Sequence, residues 1–308
     1  MLDPRLSIDE VFNEAIMSGT PVIIVEGIDD IKTYQSIASA VDDRIEVYAI
    51  ETIAGWGAGC DSIIAAIREL YALQQNPYPV DKFILGIVDR DVREFRNELP
   101  AEPAFLVLDF YSIETHFVTF EVLERSVAKF TLAPLNALGH DSLQDMYLRV
   151  ESNLLDLYYF SLEALKCATV QDYVADYKYS YANNRRKEQP AKQLIGAKTA
   201  ELDIFAVSRN LQRSMGSLRR FAKGKWLLLS FAEEVYRELT NLSAYCGHLD
   251  TPRCQFCNAQ IMGKCTFKLK DGISNKTIYS LAFEDTDLPT LDYIKARIRS
   301  FSDCFFLA

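Results

Sequence analysis

Apolar positions in the first 130 residues alternate between two periods. Val11, Phe12, Ala15 and Ile16 recur at helical spacing behind Ser7, a residue suited to an N-cap, and predict a helix to about residue 18. The run PVIIVE at 21–26 is continuously apolar and ends in an acid, as in a strand buried on both faces. The pattern continues with a helix over 28–41, a strand over 45–53 and a helix over 61–73. KFILGIVD at 82–89 is another buried strand, 105–109 a fourth, and a helix follows from residue 112 to about 124. Strands alternating with helices predict an α/β fold: a parallel sheet with helices on both faces.

Beyond about residue 135 the strand pattern stops. Asp141 is placed to cap a long helix to about residue 166, with Leu143, Met146, Val150, Leu154 and Leu157 at helical spacing. Further helices are expected near 187–199, 204–213, 224–240 and 289–300. The expected division is therefore an α/β domain over 1–135 and a mainly helical region over 136–308, with the boundary near Pro134, Gly139 and His140. Length and composition agree with a two-part globular protein: 308 residues, 49% hydrophobic and 25% charged. No stretch of 18 apolar residues predicts a membrane span. The opening MLDPRLSIDE is polar and acidic rather than signal-like, and seven cysteines fit a reducing compartment, so a cytoplasmic protein is expected.

The net charge of −10 argues at first against a nucleic-acid ligand, but the charge is uneven. Residues 1–60 carry eleven acids and three bases, a net of −8; residues 178–225 carry twelve bases and three acids, a net of +9. An acidic front suits a cation, and a basic middle suits a polyanion.

Three expected strand ends carry acids. Glu26 closes the first and is followed by Gly27; Asp89 closes the third, with Asp91 two residues on; Glu114 follows the fourth. Ligands of parallel α/β sheets bind beyond the carboxyl ends of the strands. Side chains two apart on extended chain point to one side, so Asp89 and Asp91 are placed to grip one cation. Mg²⁺ takes a few carboxylates plus waters and phosphate oxygens, and activates water against a phosphodiester.

VIIVEGIDD followed by FILGIVDRD resembles the Toprim domain, with Glu-Gly after the first strand and Asp-x-Asp after the third. LDFYSIETHFV is similar to the Asp-Tyr-x-x-Ile-Glu segment of Toprim nucleases related to the overcoming-lysogenization-defect (OLD) family. The resemblance covers about residues 20–125. It implies a Mg²⁺-dependent nuclease in which Glu26 is the acid/base or metal-binding glutamate, Asp89 and Asp91 the metal pair, and Glu114 the fourth acid. Asp29 and Asp30 are weaker candidates. In OLD-type nucleases a lysine from beyond the core approaches the scissile phosphate; KGKWLLL looks similar to that segment and points to Lys225, with Lys223 second.

Together with chain length, these motifs resemble the Toprim effectors of the PARIS phage-defence systems. That implies an abortive-infection endoribonuclease, stored by a partner ABC-type ATPase and released when a phage DNA-mimic protein is sensed. Once released it acts as a homodimer that cleaves host tRNA. An OLD-type DNA nuclease or nickase, an rRNA-processing Toprim enzyme, and a non-catalytic Toprim-like module docking on an ATPase stay open.

IAGWGAGCDS at 53–62 carries Gly55, Gly57 and Gly59, which fit either a phosphate-facing turn or a tight turn alone. In the basic segment, Tyr177, Tyr179 and Tyr181 interleave with Lys178, and Arg185, Arg186 and Lys187 follow; Arg219, Arg220 and Lys223 form a second cluster. Cations neutralise phosphates and aromatics stack on unpaired bases, so these are the expected nucleic-acid contacts. The other reading is a solvated loop whose tyrosines pack on the preceding helix.

Cys246, His248, Cys254, Cys257 and Cys265 fall within twenty residues. Cys254-x-x-Cys257 has the form of a zinc knuckle; Cys265 and either His248 or Cys246 would complete a tetrahedral site for a structural Zn²⁺. Reduced, partly buried cysteines are the competing reading. Cys60, Cys167 and Cys304 are expected in the core, and His116 and His140 are expected to be structural.

Overall fold

The computed structural model describes residues 4–73, 78–133, 137–182, 187–248 and 250–305. The chain forms two compact units, one of residues 1–109 with 286–308 and the other of residues 110–285. This differs from a single cut near 135 in two ways: residues 110–135 belong with the helical unit, and the last helix returns to the first.

The first unit is built on a parallel sheet of four strands: β1 (Val22–Val25), β2 (Glu46–Ala49), β3 (Ile84–Val88) and β4 (Phe105–Val107), in the order β2-β1-β3-β4. Every residue of β1 and β3 is buried, so both faces of the central strands are covered. β2 stands at an edge, and its Glu46 is exposed. Flanking helices are Ile8–Ser18, Ile28–Ser39 and Cys60–Ala72. The first opens on a capping box in which Glu10 accepts from the Ser7 N–H at 2.8 Å, and closes on Gly19 at φ 71°.

Gly86 shows why a strand of large aliphatics contains one glycine. A Cβ there would lie 2.5 Å from Ile67 Cδ1 and 2.9 Å from Ile63 Cγ2, so the missing side chain lets the Cys60–Ala72 helix lie close on β3. The C-terminal helix, Asp292–Phe305, belongs to the same unit. Tyr293 Oη accepts from the Asp109 N–H at 2.9 Å, Arg297 donates to the Pro103 carbonyl at 2.6 Å, and Ser302 donates to Asp42.

The second unit is helical around Gly224–Thr240, which buries Trp226, Leu227, Leu228, Phe231, Val235 and Leu239. His140–Leu154 and Asn275–Ala282 pack on it. Two expected helices are divided. The one over 112–124 begins as a 3-10 turn, Ile113–Phe117, and restarts as Phe120–Phe130 with Thr119 Oγ1 accepting from the Val122 N–H. The long helix to 166 is interrupted by a 3-10 turn, Leu155–Leu157, before Tyr158–Thr169. Its N-cap position is Gly139, not Asp141; the capping carboxylate is Asp250, far along the chain, which accepts from the Asp141 and Ser142 N–H groups at 3.1 and 3.2 Å.

Among the described residues, no helix is long and apolar enough to cross a membrane.

Candidate metal centres

Glu26 and Asp89 each lie one residue past the end of adjacent parallel strands, β1 and β3. One side chain joins them. The Cys60 thiol donates to Glu26 Oε2 at 3.2 Å, and its sulfur accepts the Asp89 N–H at 3.3 Å. Cys60 is 3% exposed, which agrees with a core cysteine, but sequence reasoning missed its tie to the acids. Burial first, then the negative charges of Asp89, Glu26 and Asp91, push its thiol well up, so it stays protonated and donates. The glycine-rich turn brings it there: Gly59 sits at φ 114°, open only to glycine, and its N–H donates to the Glu26 carbonyl at 3.2 Å. That amide is thus occupied within the fold rather than by a phosphate.

Asp91 does not continue an extended strand. It is in the left-handed region at φ 47°, in a turn, so the side-by-side geometry expected for Asp89-x-Asp91 on extended chain is replaced by a reversal. Arginines hold that turn: Arg90 Nε donates to the Leu108 carbonyl at 2.8 Å, and Arg93 pairs with Asp61 at 2.9 Å. Asp30 caps the helix after β1, accepting the Gly27 N–H at 3.1 Å, while Asp29 is exposed. Glu51, unread in the sequence, accepts the Ile28 N–H at 2.9 Å. The buried Tyr34 phenol is pushed well up by burial and then by the charges of Asp89 and Asp30.

Within the second unit, Glu114 lies in the 3-10 turn, where its Oε2 accepts from Ser112 Oγ. The KGKW segment meets it. Gly224 opens the Gly224–Thr240 helix, and a Cβ on it would lie 1.9 Å from Ser112 Oγ and 2.8 Å from Glu114 Oε2. Lys225 is exposed, whereas Lys223 Nζ donates to the Tyr179 carbonyl at 2.9 Å. His116 is buried, its Nδ1 3.1 Å from the Ser112 carbonyl oxygen, and burial lowers it to about 4.

The basic segment is largely folded into the unit. Tyr177 is 1% exposed and packs on Phe160 and Trp226; Tyr179 stacks on Trp226 and donates to the Phe221 carbonyl at 2.6 Å. Tyr181 meets Tyr177 edge-on. These tyrosines follow the packing reading rather than offering faces to bases. Arg219 donates to the Val118 carbonyl and to Tyr147 Oη at 2.6 and 3.2 Å. Lys187 pairs with Glu233 at 2.6 Å, Arg220 is half-buried, and Lys178 is exposed. Arg185 and Arg186 lie outside the described residues.

Cys246, Cys254, Cys257 and Cys265 gather, with all four sulfurs within 4.8 Å of one another. They could hold a metal such as zinc. Cys246, not His248, supplies the fourth sulfur: the His248 ring is exposed and lies against Tyr245. Burial would raise the Cys254 thiol, but N–H groups of Thr266 and Cys257 donating to its sulfur lower it to about 6. Cys257 is pushed up to about 12, by burial and then by hydrogen bonding with Cys265, Cys246 and Cys254. Four crowded sulfurs do not share charge comfortably unless a cation lies among them. Among the described residues this is the one set of three or more metal-ligating side chains gathered so closely; Glu26, Asp89 and Asp91 are not.

No protein-family model matches the chain, and no curated protein matches it.

Proposed function

We propose that the protein is a Mg²⁺-dependent phosphodiesterase of Toprim type acting on RNA, with tRNA as its substrate. The observation that carries this reading is the bridge from Glu26 through Cys60 to Asp89 at the carboxyl ends of adjacent parallel strands. Two half-buried acids at the ligand-binding edge of a sheet, Glu26 tied through its carboxylate and Asp89 through its N–H, offer the hard oxygen donors that suit Mg²⁺. Glu26 and Asp89 would hold the ion, and the resemblance assigns Asp91, in the turn that follows, to it as well. When bound, Mg²⁺ lowers the pKa of a water and offsets charge on the phosphodiester oxygens.

The chain's own groups supply the rest. With Oε2 accepting the Cys60 thiol, Oε1 of Glu26 is the oxygen left either to meet the ion or to take the proton of the attacking water. The Arg90 and Arg93 contacts hold the Asp91 turn beside the end of β3. The resemblance assigns Glu114 to metal binding and Lys225 to the phosphate; both lie in the second unit, and variants test them.

Biologically, the resemblance supports an abortive-infection effector stored by an ABC-type ATPase, released on sensing a phage DNA mimic, and active as a homodimer. The test mixes full-length protein with total tRNA, ribosomal RNA and plasmid DNA, with Mg²⁺ or EDTA, beside Glu26→Ala. The expected result is tRNA cleavage abolished by EDTA and by Glu26→Ala. Cleavage surviving both discards the mechanism, and cleavage of DNA alone discards the RNA substrate.

The four cysteines are proposed to hold a structural Zn²⁺. Tetrahedral geometry at a Zn–S distance of about 2.3 Å sets sulfurs about 3.8 Å apart, and Cys254 and Cys265 stand 3.9 Å apart. With four protein ligands such a site is closed, so it staples the fold.

A further inference from the structure

We propose that Cys60 is a positioning residue, whose sulfur sets the Glu26 carboxylate against Asp89 for cation binding. The inference rests on the reading of the strand-end acids as a Mg²⁺ site.

Glu26 is gripped at two points by consecutive residues. The Gly59 N–H holds its carbonyl at 3.2 Å, and the Cys60 thiol holds its Oε2 at 3.2 Å. The same sulfur takes the N–H of Asp89 at 3.3 Å, so one atom links the first residues beyond β1 and β3. A glutamate at a strand end otherwise samples many rotamers, and a cation site built on it must order them on every binding event.

The chemistry of sulfur suits this place. The side chain packs in the core with Ile24, Ile53, Ile63 and Val88, where a larger polar group would not fit well. A thiol is a weak donor and a weak acceptor, able to serve both partners. It is also neutral. A lysine or arginine would orient Glu26 as firmly, but its charge would compete with the dication for the carboxylate. A neutral, weak donor leaves the full negative charge of Glu26 available.

Mn²⁺ binding, followed by electron paramagnetic resonance on the full-length chain, tests this without relying on activity. Four proteins are compared: wild type, Glu26→Gln, Cys60→Ala and Cys60→Ser, each with a thermal melt. Ser keeps a hydroxyl where the sulfur stood, able to donate to Glu26 and accept from Asp89, whereas Ala leaves that space empty. Cys60→Ala is expected to weaken Mn²⁺ binding about 10-fold, the usual scale for losing a group that orients a ligand. Cys60→Ser should recover most of that loss, the melts serving to show that every variant is folded at the temperature of the binding measurement. Ala binding as tightly as wild type, or Ser binding as poorly as Ala, overturns the proposal and leaves Cys60 as packing. Absent Mn²⁺ binding in wild type, or binding indifferent to Glu26→Gln, overturns the Mg²⁺ reading itself and the Cys60 role with it.

Discussion

Asp250 holds Ser142 twice with one oxygen: Oδ1 accepts the Ser142 N–H at 3.2 Å and the Ser142 hydroxyl at 2.8 Å. Oδ2 accepts the Asp141 N–H, and Thr251 donates to Ser142 Oγ at 2.9 Å. Asp250 lies between Cys246 and Cys254, so the four-cysteine segment supplies the cap of the His140–Leu154 helix. Asp250→Ala removes that cap and is expected to lower stability, with Asp250→Asn milder because an amide oxygen still accepts. Urea denaturation of the three proteins measures it.

Removing metal from the cysteine cluster should do more than removing Asp250. Without a cation the four sulfurs no longer fix the loop, and the cap goes with it. Full-length protein under reducing conditions is expected to carry one Zn²⁺ per chain by elemental analysis. A strong chelator should lower its melting temperature by more than Asp250→Ala does, and Cys257→Ala should reproduce the chelated state. Zinc absent from freshly purified, reduced protein sinks this prediction.

Gly224→Ala should disturb Glu114 through Ser112. The added Cβ has no room beside Ser112 Oγ, and overpacking of this kind costs about 1–3 kcal/mol. Ser112→Ala removes the colliding atom, so the double variant should regain part of the loss. A double-mutant cycle in urea reads the coupling, and strict additivity would refute the contact.

Lys198 belongs to the basic run yet faces inward. Its Nζ lies 2.8 Å from Oε1 of the fully buried Glu163 and 2.6 Å from Asp176. Tyr173 Oη and the Asp176 N–H complete the partners of Glu163. Lys198→Met leaves a buried carboxylate without its cation and is expected to cost about 3 kcal/mol. Glu163→Gln in the same chain should restore part of it, as thermal melts at neutral pH would show.

Asp42 gives a pH dependence with a definite sign. Hydrogen bonding to Arg44, aided by Ser302, holds its carboxyl far below the usual range against the opposing effect of burial. The folded chain therefore binds its proton less readily than the unfolded chain. Its contribution is complete above the unfolded pKa of about 4 and is lost as pH falls below it. Melting temperatures from pH 6 to pH 2.5 should fall more steeply in wild type than in Asp42→Asn, with a difference of about 1 kcal/mol for a partly exposed pair.

Local pattern was enough to place the strands and most helices. An apolar run such as VIIV has to be covered on both faces, and the acid that follows it has to lie where the strand leaves the core. The knuckle at Cys254 and Cys257 was equally legible, because two sulfurs three residues apart are close in any compact turn. What periodicity does not encode is which distant groups meet. Strand order alone makes Glu26 and Asp89 neighbours, and a glycine turn alone delivers Cys60 between them. Cys246 and His248 were equal on spacing, and the chain's path around the cluster chose Cys246. The interleaved Tyr177, Tyr179 and Tyr181 fitted either a surface for nucleic acid or packing on a helix; Tyr177 and Tyr179 turn inward onto Trp226, while Lys178 between them stays exposed. The last helix looked like part of the helical region and returned to the sheet, held at Asp42, Pro103 and Asp109. Each of these outcomes depends on burial and pairing between segments far apart in the chain. The free energy of such contacts exists only once the fold has closed.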